Sequence, residues 1–127
     1  MMTLNEFNSG KDFGGLIGKL FEARDYAHYM HLHTGSYAKH KALGSFYETV
    51  VGLADTLYET YVGQYGHVNF STDGNKDKNE IEYFENLGSM LKQSHDVFDK
   101  KDTHLHNILD EIVGEVYHLL YKLKYLK

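Results

Sequence analysis

Residues 37–61 read YAKHKALGSFYETVVGLADTLYETY, and this run decides the fold. Its apolar members are Leu43, Phe46, Tyr47, Val50, Ala54, Leu57 and Tyr61, spaced three and four apart. That spacing is one face of a 3.6-residue helix, not the alternation of a strand. At 100° per residue measured from His40, the apolar row centres near about -60°. Asp55 then falls at about 60°, Glu48 at about 80° and Glu59 at about 100°. Three acids thus form a file beside the apolar face, with Asp55 and Glu59 on adjacent turns. A file of this kind commonly faces solvent. Two carboxylates four residues apart also suit a hard or borderline cation, with imidazole as a further ligand.

Working toward the N-terminus, Thr34-Gly35-Ser36 is a break. Gly35 ends one helix, and Thr34 or Ser36 caps the next. Before it, Phe13, Leu16, Ile17, Leu20, Phe21 and Ala27 form a second helical stripe running to about His33, which brings His28, His31 and His33 near its end. This helix is expected to start at Lys11-Asp12, with Asp12 as N-cap and residues 1 to about 11 as a polar arm. Gly14, Gly15 and Gly18 cost this helix up to about 1 kcal/mol each, and their small size lets another helix approach.

Toward the C-terminus, residues 63–79 are rich in Gly, Asn, Asp and Ser and read as a long crossover loop. Asn79 caps a third helix over about 80–99, with Ile81, Phe84, Leu87, Leu91 and His95 on one row. A fourth starts at Asp102 or Thr103 and runs to about Leu126 on Leu105, Leu109, Ile112, Val116, Leu119 and Leu123. Four amphipathic helices without a strand pattern imply an all-α, single-domain four-helix bundle over residues 1–127.

Composition excludes several chemistries. With no cysteine, disulfides, thiolate zinc sites and thiol nucleophiles are ruled out. No proline interrupts any helix. A formal net charge of -5 argues against a nucleic-acid coat. The apolar runs fall short of a bilayer span. MMTLNEFNSGKDF lacks the basic and apolar regions of a signal peptide, so a cytoplasmic protein is expected. No G-x-S-x-G turn or phosphate-binding loop is present. Eleven tyrosines and nine histidines are the unusual counts; tyrosine more commonly serves packing at core boundaries than redox chemistry.

The run HYMHLHTGSYAKH at residues 28–40, followed by DTLYE at 55–59, resembles the ferroxidase segment of Dps-type (DNA protection in starved cells) ferritin-like proteins. In that family a His precedes an aromatic residue, a second His follows twelve residues on, and an Asp-x-x-x-Glu pair begins fifteen further. Here these are His28 with Tyr29, then His40, Asp55 and Glu59, with the glycine break at Gly35. The likeness covers residues 12 to 63. It implies a ferritin-like bundle with a long crossover after the second helix and a homo-oligomer, a dodecamer in the family. The metal site would be shared across a two-fold interface: His28 and His40 from one subunit, Asp55 and Glu59 from its mate. The implied substrate is iron, Fe²⁺ oxidised to Fe³⁺ with peroxide as oxidant, or another divalent metal such as zinc. Tyr29 would shield the site or take up an oxidising equivalent; Glu48 and His31 rank below the four ligands.

Three departures bear on this. The family's further acid, four residues after the second His, is Gly44 here. The chain is short for the family. Lys11 is the one base before the first helix stripe, so DNA binding is not supported. The alternative is a ferritin-like bundle without iron chemistry, serving as a structural or protein-interaction module. Glu115-x-x-His118 on the fourth helix and the weaker Asp25-x-x-His28 on the first echo an intrasubunit di-iron motif, but the order does not fit, since that motif is expected on the second and fourth helices. His104 and His106, flanking Leu105, read as surface histidines.

Overall fold

The computed structural model describes residues 4–72, 74 and 79–127. Those residues form four α-helices and no strand: α1 (Leu4–His33), α2 (Tyr37–Tyr65), α3 (Glu80–Gln93) and α4 (Thr103–Tyr125). A 3₁₀ turn, Ser94–Val97, follows α3.

Local chemistry sets most boundaries. Ser36 caps α2, its hydroxyl accepting from Lys39 N–H, and Asn79 caps α3 by accepting from Glu82 N–H. Gly66 closes α2 at φ +95, a conformation glycine adopts without strain, while its N–H donates to the Val62 carbonyl. α2 therefore runs one turn past the expected Tyr61. α3 stops short of the expected Asp99, because Ser94 turns its hydroxyl back to the Met90 carbonyl and the chain tightens into the 3₁₀ turn. α1 begins at Leu4, so most of the expected polar arm is helical and Asp12 lies inside a helix rather than at its cap. No proline stands there to stop the helix. Met1 to Thr3 lie outside the described residues.

One core unites the helices. Phe13, Ile17, Leu20, Leu43, Val50, Leu57, Phe84, Leu91, Leu109 and Ile112 are fully buried. These are the periodic positions of all four stripes. Phe13 lies flat on Tyr61, centroids 3.8 Å apart, and Phe98 meets Phe13 at 6.0 Å. Glu22 is buried too, held by the Lys19 ammonium at 2.8 Å and the Tyr83 hydroxyl at 3.0 Å. A buried carboxylate needs such partners.

The helices touch in the order α1, α2, α4, α3 and back to α1. Their directions follow from who meets whom. His31 at the end of α1 meets His40 at the start of α2. The end of α2 meets the start of α4 through Gln64 and Asp102. Lys124 near the end of α4 meets Glu85 near the start of α3. Lys39 near the start of α2 pairs with Glu80 at the start of α3, at 2.8 Å. α2 and α3 therefore run the same way, and α4 runs against both.

Residues 66–72 begin the return between them. Tyr58 donates to the Val68 carbonyl at 2.8 Å, and Phe70 stacks on Phe21 at 5.5 Å. A Cβ on Gly14 would lie 2.7 Å from the Asn69 carbonyl oxygen, and one on Gly18 would lie 2.1 Å from that of Ser71. Gly14 and Gly18 thus admit this linker, not another helix as their size suggested, while a Cβ on Gly15 would meet nothing within 4 Å. The linker follows α1 toward the end where α3 begins. Asp73 and residues 75–78 of the expected loop lie outside the described residues.

Candidate functional site

At the α1–α2 junction the chain gathers three histidines. The Nδ1–H of His31 donates to the His40 carbonyl at 2.6 Å, and the Nδ1–H of His40 donates to the His31 carbonyl at 2.8 Å. A carbonyl only accepts, so both rings carry a proton on Nδ1 and, when neutral, present a lone pair at Nε2. Such anchoring fixes a metal-ligating imidazole. The rings lie 3.7 Å apart. His28 stacks on Tyr47 at 4.3 Å, with His31 6.1 Å away. All three rings are half-buried. Glycine at position 44 makes the arrangement possible: a Cβ there would lie 3.0 Å from Cε1 and 3.1 Å from Nδ1 of His31. The imidazole of His31 occupies the space where a side chain at 44 would begin.

Tyr29 is exposed, and its ring stacks on His33 at 4.0 Å while its carbonyl accepts from His33 Nδ1–H. Glu48, Asp55 and Glu59 are exposed on α2. Asp55 stands fifteen residues beyond His40, about 22 Å along the helix. One chain therefore brings His28, His31 and His40 to one end and leaves the acid pair well away. Among the described residues, no three His, Asp or Glu side chains converge to hold a metal ion. Glu115 is half-buried and His118 exposed.

The opposite end holds two groupings that sequence spacing did not reveal. Asp102 is buried at the start of α4. It does not cap the helix with its side chain; the carboxylate turns to α2, accepting from Gln64 Nε2 at 2.9 Å and from the Tyr65 hydroxyl. His104 Nε2–H donates to Gln64 Oε1 at 2.8 Å. The hydrogen bonds from Tyr65 and then Gln64 hold the Asp102 carboxyl below its ordinary range. The same bond pushes the Tyr65 phenol up to about 12. Burial, then the Asp102 charge, raises Tyr61.

Next to this network, His95 and His106 bring their Nδ1 atoms to 2.6 Å. His106, read as a surface histidine, is half-buried and paired with His95, because the 3₁₀ turn swings His95 onto the first turn of α4. Partners of this kind, eleven residues apart across a turn, leave no periodic trace in a sequence.

Among the described residues, no helix is long and apolar enough to cross a membrane. No solved structure matches the chain. The chain is 27% identical over 110 residues to an "Uncharacterized 14.6 kDa protein in mobD-ri intergenic region" of Enterobacteria phage T4; the match covers 87% of this chain and 83% of the relative. Residues 31–123, from the junction histidines to the last turns of α4, match a family described as a family of unknown function, DUF5856. The match spans well over half the chain, and the protein therefore belongs to the DUF5856 family.

Proposed function

We propose that this protein is a ferritin-like four-helix bundle of Dps type that assembles with copies of itself and binds and oxidises Fe²⁺. The observation that carries the reading is the chain path: contacts in the order α1, α2, α4, α3, with α2 and α3 running the same way. Successive neighbours in that order are then antiparallel, as in a ferritin-like bundle with its long connection after the second helix. The Nδ1-anchored His40 supports the ligand assignment, since its Nε2 lone pair remains open.

Assembly is part of the reading. The acids stand too far from His40 to share a metal with it in one chain, so a second copy supplies them. An antiparallel pair of α2 helices, centred near Glu48, sets His28 and His40 of each copy opposite Asp55 and Glu59 of the other. The exposed face of α2 suits such contact. Ser45, Thr49, Gly52 and Thr56 form an exposed row of small residues beside the acids, and a Cβ on Gly52 would meet nothing within 4 Å. At the His end, exposed Tyr29, Leu32 and Tyr37 offer apolar surface to cover.

Iron is the substrate here. His28 and His40 give neutral nitrogen ligands, and Asp55 and Glu59 give anionic oxygens that offset the cation's charge. One hydrogen peroxide takes an electron from each of two Fe²⁺ ions and consumes two protons, leaving two Fe³⁺ and two waters. The cytoplasm, where Fe²⁺ is available, is the setting this reading carries.

Two measurements test it: mass in solution, and anaerobic Fe²⁺ titration followed by peroxide. An oligomer that oxidises Fe²⁺, with oxidation lost in His28→Ala/Glu59→Ala, is the expected result. A monomer, or oxidation unchanged in the double variant, refutes the proposal.

The structural or protein-interaction module remains the second reading, and one observation favours it. The place of the family's further acid is taken by the His31 ring over Gly44, so a ligand oxygen is missing on the His side. An oligomer that binds no Fe²⁺ would select this reading.

A further inference from the structure

The His95–His106 pair lies at the far end of the molecule from the His28, His31 and His40 cluster, and its hydrogen bonding turns two Nδ1 atoms toward each other. His95 Nε2 is 2.8 Å from Asp110 Oδ1, and His106 Nε2 is 3.0 Å from the Asp99 carbonyl oxygen. Carboxylate and carbonyl oxygens only accept, so both imidazoles carry their proton on Nε2. In the neutral rings both Nδ1 atoms are then lone pairs, and they stand 2.6 Å apart. The ring planes agree within 10° and the centroids are 4.9 Å apart, the Nδ1 separation plus a ring radius on each side. The two lone pairs therefore meet head-on. Two neutral acceptors in that position repel unless a cation, a proton or a metal ion, stands between them.

We propose that His95 and His106 form a binding site for a divalent late-transition cation of the Zn²⁺ class, held between the two Nδ1 atoms. Imidazole suits these metals. Metal-ligating histidines characteristically donate the other ring N–H to a carboxylate or a backbone carbonyl, and here one ring does each, through Asp110 and Asp99. Two nitrogens on a tetrahedral Zn²⁺ lie about 3.3 Å apart. The rings part by less than an ångström, and each turns by about 35° so that both lone pairs point at one tetrahedral ion. His95 sits on the 3₁₀ turn and His106 on the first turn of α4, so side-chain rotation across one short turn absorbs the movement. A surface cleft of about 610 Å³ opens on the pair, lined also by Asp96, Asp99, Lys100 and Lys101. Water from the cleft completes the coordination shell. Two protein ligands therefore suffice, although among the described residues no three converge.

The test is a Zn²⁺ titration of the full chain, read by calorimetry and by ¹⁵N resonances of the imidazoles. In the wild type, Zn²⁺ shifts the Nδ1 resonances of His95 and His106. His95→Gln and His106→Gln each lose one bound equivalent per chain. His28→Ala/Glu59→Ala keeps that equivalent, so this site and the proposed iron site fail or stand separately. Asp110→Asn, at an exposed position, weakens binding at least tenfold by releasing the orientation of His95. If the glutamine variants fail to fold, the wild-type resonances decide alone. Nδ1 resonances that ignore excess Zn²⁺ and report a shared proton overturn the proposal, as does an equivalent retained by both folded glutamine variants.

Discussion

Gly18→Ala, set against Gly15→Ala, probes the chain path on which the proposed function rests. Both glycines sit in α1, and in a free helix either change gains about 1 kcal/mol from backbone propensity. Their surroundings differ. A Cβ at Gly15 meets nothing within 4 Å, whereas one at Gly18 lies 2.1 Å from the Ser71 carbonyl oxygen and 3.2 Å from its carbon. No real contact is that short, and the obstacle is backbone, which cannot rotate aside. The linker must lift off α1, disturbing the stacking of Phe70 on Phe21. Overpacking typically costs about 1–3 kcal/mol, and a backbone clash belongs at the upper end. Subtracting the propensity gain leaves Gly18→Ala less stable than wild type by about 2 kcal/mol, while Gly15→Ala is more stable by up to about 1. The variants should therefore differ by about 3 kcal/mol, or about 10 °C in Tm for a domain of this size. Urea unfolding monitored by circular dichroism measures this, with an unchanged slope confirming a stability effect alone. If Gly18→Ala proves as stable as Gly15→Ala, the linker does not lie on α1 and the ferritin-like path loses its support.

Three other outcomes are expected. Gly44→Asp supplies the missing acid but displaces the His31 ring from its bond to the His40 carbonyl; it should cost about 1 kcal/mol in thermal unfolding and, on the iron reading, speed peroxide-driven Fe²⁺ oxidation. Tyr65→Phe should act at both ends of the pH scale, as followed by circular dichroism and phenolate absorbance. Because the folded-state pKa of Tyr65 is raised from 10.0 to about 12, its contribution is complete below pH 10 and lost as pH climbs through 12, so the variant should lose less stability across that window. Asp102, held low by Tyr65, stabilises the fold above its ordinary 3.8 and loses that contribution as pH falls through its lowered value; the variant should therefore unfold in acid at a higher pH than wild type. Leu57→Ala, at a fully buried position, should cost about 2–5 kcal/mol in the same urea assay.

Much of the fold was legible in residue order because it rests on local periodicity. The rows led by Leu43, Phe84 and Leu105 each face the core, and Ser36 and Asn79 cap the helices they precede, since caps and stripes act within a few residues. The acid file of Glu48, Asp55 and Glu59 was equally legible as an exposed face, and the His28–His40 spacing as a resemblance. What the sequence left open depends on contacts between distant segments. Gly14 and Gly18 announced a close approach, but only the packed structure identified Asn69 and Ser71 as its cause. Gly44 read as an absence until the His31 ring was found filling it. Tyr65 and Asp102 meet across 37 positions, and His95 reaches His106 only because Ser94 bends the chain out of α3. Helix periodicity is a short-range property that residue order carries directly. The meeting of His95 and His106 at the far end of the molecule is a tertiary one, set when the 3₁₀ turn folds His95 onto α4.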